Sequence, residues 1–273
     1  MKLTILQNSL LWEQASENRA RFAEILAPLA GRTDLVVLPE MFTTGFSMNA
    51  GQLAEPMEGP TVAWMQEQAS RLDAALAGSF ICRENDRYYN RLVFMRPGGQ
   101  FDFYDKKHLF SLAEEHIFFS AGNKQLVVEW RGWHIRPLVC YDLRFPVWSA
   151  TQGFSAAEKA AAESREQAMM RDETSLLLYV ANWPARRSHH WRSLLTARAV
   201  ENQAFVAGVN IVGKDGNGLE YTGHSSIIDY SGQPIAEISG AEGVFTAELS
   251  LEDMRQYRRQ LPFLPDGDLF QLR

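Results

Sequence analysis

Three short segments of this chain each end an apolar or aromatic approach on a reactive side chain. They are Leu35-Val36-Val37-Leu38-Pro39-Glu40, Tyr104-Asp105-Lys106-Lys107-His108-Leu109-Phe110 and Leu138-Val139-Cys140-Tyr141-Asp142-Leu143-Arg144-Phe145-Pro146. A carboxylate, an ammonium and a thiol suffice for acyl transfer, as base, electrostatic clamp and nucleophile. A thiol is only a few per cent ionised near neutral pH, so Cys140 as a nucleophile needs a base or cation close by. Alone, it reads more readily as a core cysteine. Glu40 follows an apolar strand, where α/β proteins place ligand sites beyond the carboxyl ends of strands. Alone, it reads as a solvated loop carboxylate. Lys106 and Lys107 compete for the cationic role; strand alternation puts them on opposite faces, so only one is expected to face a pocket.

The elements that must position these groups alternate along the chain. Lys2–Asn8 reads as a strand, followed by a helix over Ser16–Ala30 with Ser16 as N-cap and Gly31 as stop. Asp34–Pro39 is a continuous apolar strand of the kind buried on both faces. The helix after Pro60 should carry Met65, Ala69, Leu72 and Leu76 inward. Strands are expected at Ala77–Cys82, Tyr88–Met95 and Phe101–Asp105, the last two joined by Pro97-Gly98-Gly99. Gln125–Trp130 and Trp133–Cys140 form a second hairpin pattern around Arg131-Gly132. Ser175–Ala181 is again apolar throughout and leads to a helix over Ser188–Asn202. Strands follow at Ala204–Val212, Ser225–Asp229, Gln233–Ile238 and Val244–Leu249. Helices intervene singly and no linker divides the chain. The expected fold is one α/β domain, two sheets packed face to face with helices outside.

Balanced composition (22% charged, 46% hydrophobic, 11% aromatic over 273 residues) describes a globular protein with a substantial core. A net charge of −6 argues against nucleic acid or an anionic membrane as partner. No apolar run is long enough to span a bilayer, and Gln7-Asn8-Ser9 interrupts the N-terminal apolar stretch before a signal-peptide core can build, so a cytoplasmic location is expected. The two cysteines, Cys82 and Cys140, make no disulfide framework and no Cys-x-x-Cys pair; Cys82 in Gly78-Ser79-Phe80-Ile81-Cys82 reads as an inert core thiol. The six histidines include no His-Glu-x-x-His pattern, so no metal is expected.

The ordered Glu40, Lys106 and Cys140, with their flanks, resemble the Glu-Lys-Cys triad of the nitrilase, or carbon-nitrogen hydrolase, superfamily. Within it, Pro39-Glu40-Met41-Phe42-Thr43-Thr44-Gly45-Phe46 and Tyr179-Val180-Ala181-Asn182-Trp183-Pro184 are similar to the omega-amidases. The resemblance implies a four-layer αββα sandwich with two central mixed β-sheets, spanning 1–273 as a single domain. Its Lys-x-His-Leu-Phe pattern selects Lys106 over Lys107. Its second glutamate, seven residues before a glycine, selects Glu115 over Glu114, with Gly122 as that glycine. Tyr141 is expected to complete the oxyanion hole with its backbone N–H. Phe42, Phe46, Asn182 and Trp183 are expected to line the substrate pocket. Arg144 would either pair with a substrate carboxylate or brace Asp142. Arg198, Glu201 and Asn202, spaced as helical neighbours, read as structural bracing.

The activity implied is hydrolysis of the terminal amide of short 2-oxo acids such as 2-oxoglutaramate and 2-oxosuccinamate, through a cysteine thioester and without a cofactor. A small-molecule amide is then the partner, and a homodimer the usual assembly. A nitrilase, or an N-carbamoyl amino-acid hydrolase on the same triad, are the alternatives, and a non-catalytic binding protein of this fold a third. The chain departs from the resemblance over 150–174, where Ser155-Ala156-Ala157-Glu158 is a capping-box signature before alanine-rich Lys159–Met170. An added surface helix is expected there, and a tail over 251–273.

Overall fold

A computed structural model describes residues 1–151 and 174–270. Strands β1 (Lys2–Gln7), β2 (Leu35–Val37), β3 (Ala75–Glu84), β4 (Arg87–Met95) and β5 (Phe101–Asp105) form one sheet, completed by β13 (Gly243–Glu248) beside β1. Strands β6 (Val128–Trp130), β7 (Trp133–Val139), β8 (Leu176–Val180), β9 (Phe205–Val209), β10 (Val212–Lys214), β11 (Glu220–Ile228) and β12 (Pro234–Ser239) form the other. In each sheet a parallel centre, β1-β2-β3 and β7-β8-β9, is flanked by antiparallel strands. The expected pair of mixed sheets with helices on their outer faces is what the chain builds.

Alternation along the strands explains the layering. Leu35 and Val37 of β2, with Ala75 and Ala77 of β3, join a core cluster shared with Ile135, Leu177 and Val206 of the other sheet. The intervening Val36, Leu76, Phe80 and Cys82 point the other way, against Phe22 and Leu26 of the helix Ala15–Leu26 and Met65, Ala69 and Leu72 of the helix Pro60–Leu72. Each fully buried Leu or Val side chain contributes about 1.5–3 kcal/mol to holding these layers together. On the opposite side, the helix Ser188–Asn202 lies on β9, where Gly208 makes room: a Cβ there would meet Leu195 and Trp191.

Several boundaries differ from the pattern reading. Leu76 lies in β3 rather than on the preceding helix, which ends when Asp73 turns left-handed at φ 51°. Ser16 sits inside the first turn of its helix and hydrogen-bonds Glu17, so it is no cap. The apolar run Ala204–Val212 breaks into β9 and β10 at Asn210, whose side chain leaves the ladder to bond Trp183 and Gly223. The stretch read as a C-terminal tail begins with a helix, Leu251–Gln260, capped by the Ser250 hydroxyl accepting from the Asp253 N–H at 3.1 Å. The expectations for Ser155–Met170 lie outside the described residues. Among the described residues no helix is long and apolar enough to cross a membrane.

Candidate active site

Four strand ends converge. Lys106 directly follows β5 and Cys140 directly follows β7; Glu40 and Asn182 stand just beyond β2 and β8. Because β7 and β8 run parallel with Val139 opposite Val180, Cys140 and Ala181 leave the second sheet at the same level. The two packed sheets therefore aim carboxyl-terminal strand ends at one place, a common ligand position in α/β folds.

The chain is bent sharply where the reactive groups sit. Cys140 adopts φ 45° and Met41, just after Glu40, φ 43°. Left-handed backbone at a non-glycine residue costs about 1–3 kcal/mol and persists only where its surroundings impose it. At Met41 the hydroxyl of Ser79 accepts the amide at 2.9 Å, and its carbonyl receives the Gly45 N–H at 2.8 Å. At Cys140 the constraint is Asp142, two residues on in the turn Cys140–Arg144. Its buried carboxylate accepts the Val139 N–H (3.0 Å), the Tyr104 hydroxyl (2.7 Å) and the His108 N–H (3.0 Å), and faces His108 Nδ1 at 2.7 Å. This ties the cysteine turn to the lysine loop. Asp142→Ala strands several buried donors at once and is expected to destabilise the fold by about 3–5 kcal/mol. An unshifted urea midpoint would show that something else holds the turn.

Lys106 is the centre of the charged cluster. Its Nζ lies 3.0 Å from Glu40 Oε1 and 3.0 and 2.9 Å from the two carboxylate oxygens of Glu115, and all three side chains are fully buried. Asn90 donates to Glu40 Oε1 at 2.7 Å, the Asn182 N–H to Glu40 Oε2 at 2.8 Å, and the Phe110 N–H to Glu115 Oε2 at 2.6 Å. Burial pulls the lysine pKa down, but the charges of Glu115 and Glu40 outweigh it and hold the ammonium well above its ordinary range. Burial pushes the Glu115 carboxyl up, with Lys106 opposing and Glu40 adding. Burial likewise lifts the Cys140 thiol well above its usual range, reinforced by Glu40 and opposed by Lys106. Cys140 therefore rests as a thiol, with the Glu40 carboxylate and the Lys106 ammonium as the nearby charges that act on it. Lys107 points elsewhere, its ammonium 5.3 Å from the Trp148 ring, and Glu114 is exposed. Gly122 earns its place sterically: a Cβ there would collide with the Asp105 carbonyl, and its N–H bonds the Lys106 carbonyl at 2.9 Å.

Above this cluster opens a cavity of about 270 Å³ with Cys140 and Lys106 at its floor. Phe46, Tyr141, Arg144, Asn182 and Trp183 are among the residues that line it. Phe42 does not. It is fully buried edge-on to Phe22 (5.8 Å between centroids) and beside Trp64 (5.5 Å), because the left-handed Met41 turns it back into the helix layer. Gly78 leaves room for that ring; a Cβ there would stand 3.1 Å from it. Arg144 does not brace Asp142; it lies over Trp183 at 5.0 Å and meets His190 Nδ1 at 2.9 Å. Arg198 is bracing, donating to the Leu143 carbonyl at 2.6 Å and to Glu201 at 3.0 Å. Cys82 and Cys140 are both free, and burial holds the Cys82 thiol up at about 11.

Sequence reasoning missed Asn90, His108 and the structural role of Asp142. A signal existed for Asn90, an amide inside a strand otherwise reading as buried, since buried polar groups are retained with partners. Apart from the Val139 N–H in its own turn, the partners of Asp142 are Tyr104 and His108, 38 and 34 positions away, and no local pattern marks those bonds.

Comparison with known proteins agrees over the whole chain. The model of the carbon-nitrogen hydrolase family matches residues 2–259. The omega-amidase YafV of Escherichia coli (strain K12) is 44% identical over 273 residues, 100% of this chain and 98% of that protein. The 2-oxoglutaramate amidase of Bacillus subtilis (strain 168) is 34% identical over 271 residues, 97% of this chain and 98% of that one. Among solved structures, XC1258 from Xanthomonas campestris, a CN-hydrolase superfamily protein with an arsenic adduct in its active site, superposes with a TM-score of 0.93 at 43% identity, covering 100% of this chain and 99% of that one.

Proposed function

The chain belongs to the carbon-nitrogen hydrolase family, and from that premise we propose that it is an amidase releasing ammonia from the terminal amide of short 2-oxo acids, 2-oxoglutaramate and 2-oxosuccinamate. The observation that carries this reading is the buried Lys106 ammonium held between Glu40 and Glu115 beside Cys140, at the floor of a small cavity. The relatives named omega-amidase and 2-oxoglutaramate amidase support the substrate class.

Glu40 accepts the thiol proton as Cys140 Sγ attacks the amide carbon. The new oxyanion is held by Lys106 Nζ and by the Tyr141 N–H. That amide is the second of its helical turn, and the first amides of a helix have no carbonyl within the turn to bond. Glu40 returns its proton to the amine nitrogen, ammonia leaves, and a thioester remains on Cys140. Glu40 then takes a proton from water, whose oxygen attacks the thioester; collapse of that intermediate releases the dicarboxylic 2-oxo acid and restores the thiol. Glu115 acts as a positioning residue, fixing the ammonium on the side away from the scissile bond. Phe46, Trp183 and Asn182 shape the wall against the substrate chain, and Arg144 offers a guanidinium to its carboxylate.

Ammonia release across 2-oxo-acid amides, glutamine, asparagine, N-carbamoyl amino acids and nitriles tests the assignment. A 2-oxo-acid amide is expected to exceed glutamine and simple nitriles in kcat/KM by about 100-fold or more. A carbamoyl amino acid or nitrile as best substrate would overturn the substrate class and leave the thioester chemistry standing.

A further inference from the structure

One wall of the cavity carries three guanidinium groups. Arg144 belongs to the cysteine turn; Arg186 and Arg187 belong to the short turn Ala185–Arg187 that leads from Asn182-Trp183-Pro184 into the helix Ser188–Asn202. Two of them lie against aromatic rings, Arg144 over Trp183 at 5.0 Å and Arg187 over Phe110 at 5.3 Å. Such stacking holds the plane of the guanidinium and leaves its N–H edge to bind. Among the described residues neither forms an ion pair with a carboxylate; Arg144 has only the His190 ring nitrogen.

The wall does contain an acid, Asp215, but its oxygens are spent. One accepts the N–H groups of Asn217 and Leu219, both at 2.9 Å, and the other accepts the Tyr221 hydroxyl at 2.9 Å. These donors are neutral and leave Asp215 its charge, but among the described residues none of the three arginines forms an ion pair with it, so three guanidinium groups stand in the lining against one carboxylate. Arg187 is drawn below its ordinary range by burial first and then by the charges of Arg186 and Arg144. Like charges held together in a partly dry site are relieved by an anion placed among them.

We propose that Arg187 and Arg144 form a two-sided clamp for the substrate's carboxylate, and that Arg187 is the residue that sets specificity for 2-oxo acids. The proposal rests on the amidase reading above and extends it to how the substrate is chosen. A carboxylate seated between the two guanidinium groups directs the far end of a short substrate toward Cys140. Glutamine would bring an α-ammonium to the same wall, where three guanidinium groups outnumber one carboxylate that is already hydrogen-bonded to its own turn and to Tyr221. A 2-oxo group brings no charge. The same wall thus accepts the oxo acid and rejects the amino acid.

Arg187→Met, Arg187→Lys and Arg144→Met test the clamp with two readouts. One is kcat/KM on 2-oxoglutaramate against that on an uncharged amide of equal length; the other is protection of Cys140 from iodoacetamide by 2-oxoglutarate. In Arg187→Met, kcat/KM on the anionic substrate is expected to fall about 100-fold, at least about tenfold more than on the neutral amide and chiefly through KM. Arg187→Lys recovers part of the loss, and protection by 2-oxoglutarate weakens in step. Arg144→Met, on a separate turn, shifts the same ratio, so misfolding of one variant leaves the other to decide. Equal losses on both amides, or an unchanged ratio, would show that Arg187 only packs against Phe110 and would overturn the proposal. Failure of the amidase reading is separable: the wild-type protein would then release no ammonia from either 2-oxo-acid amide. The protection assay would still report whether a carboxylate binds at Arg187.

Discussion

Cys140→Ala lowers steady-state ammonia release by roughly five orders of magnitude or more, the scale seen when a covalent nucleophile is removed, while the fold stays intact. No other described thiol is placed to substitute. Cys82 is buried in the cluster between the first sheet and its helices, away from the cavity. Alanine keeps the Cβ and removes only the sulfur, and the left-handed turn at residue 140 is imposed by the Asp142 carboxylate rather than by the thiol. Intact-mass analysis after rapid quenching should show an acyl adduct on the wild-type protein during turnover and none on the variant. Turnover of Cys140→Ala near the wild-type rate would remove the thioester from the mechanism. Cys82→Ala, as the control, retains activity; a comparable loss there would mean that the wrong thiol has been assigned.

Lys106→Met removes both an oxyanion donor and the only cation in contact with Glu40 and Glu115 among the described residues. Loss of an oxyanion donor costs about 10²–10³ in turnover. The second consequence is structural. Glu40 and Glu115 are fully buried, and breaking a buried ion pair from one side costs about 3–5 kcal/mol. The expected result is a drop of two to three orders of magnitude in kcat together with a clear fall in the unfolding midpoint, accompanied by uptake of a proton as the Glu115 carboxyl, already raised by burial, loses the opposing charge of Lys106. Lys107→Met should change either quantity far less, since its ammonium lies over Trp148 outside the cluster. Reversal of that order between the two lysines would contradict the placement of Lys106 at the cavity floor.

Local chemistry was legible where the signal is local. An apolar run that stops at a charged or reactive side chain marks a strand end, and Lys106 and Cys140 both stand directly after strands. The helix Ser188–Asn202 and the strand Phe101–Asp105 have the bounds that their periodicity and turn residues indicate. Patterning misled where one residue's backbone angle or side chain overrode its neighbours. Met41 sends Phe42 into the core, Asp73 ends a helix four residues before Leu76 would join it, and Asn210 breaks a strand to hold Trp183.

Through resemblance the sequence indicated the mixed strand directions and the chemistry; by itself it determined two sheets packed face to face with helices outside and the order of the reactive groups. These follow from alternation, helical period and short motifs, each encoded within a few consecutive residues. The site as an assembled object was decided by tertiary structure alone. Asn182 holds Glu40 from 142 positions away, Lys106 reaches Glu40 across 66, and Asp142 binds Tyr104 across 38. Such bonds depend on how the sheets pack and at what register their strands end, and no local pattern carries that information. For the same reason the facing of Arg144 and Arg187 across one cavity wall, with Asp215 engaged by its own turn and Tyr221, appears only once the strand ends are brought together.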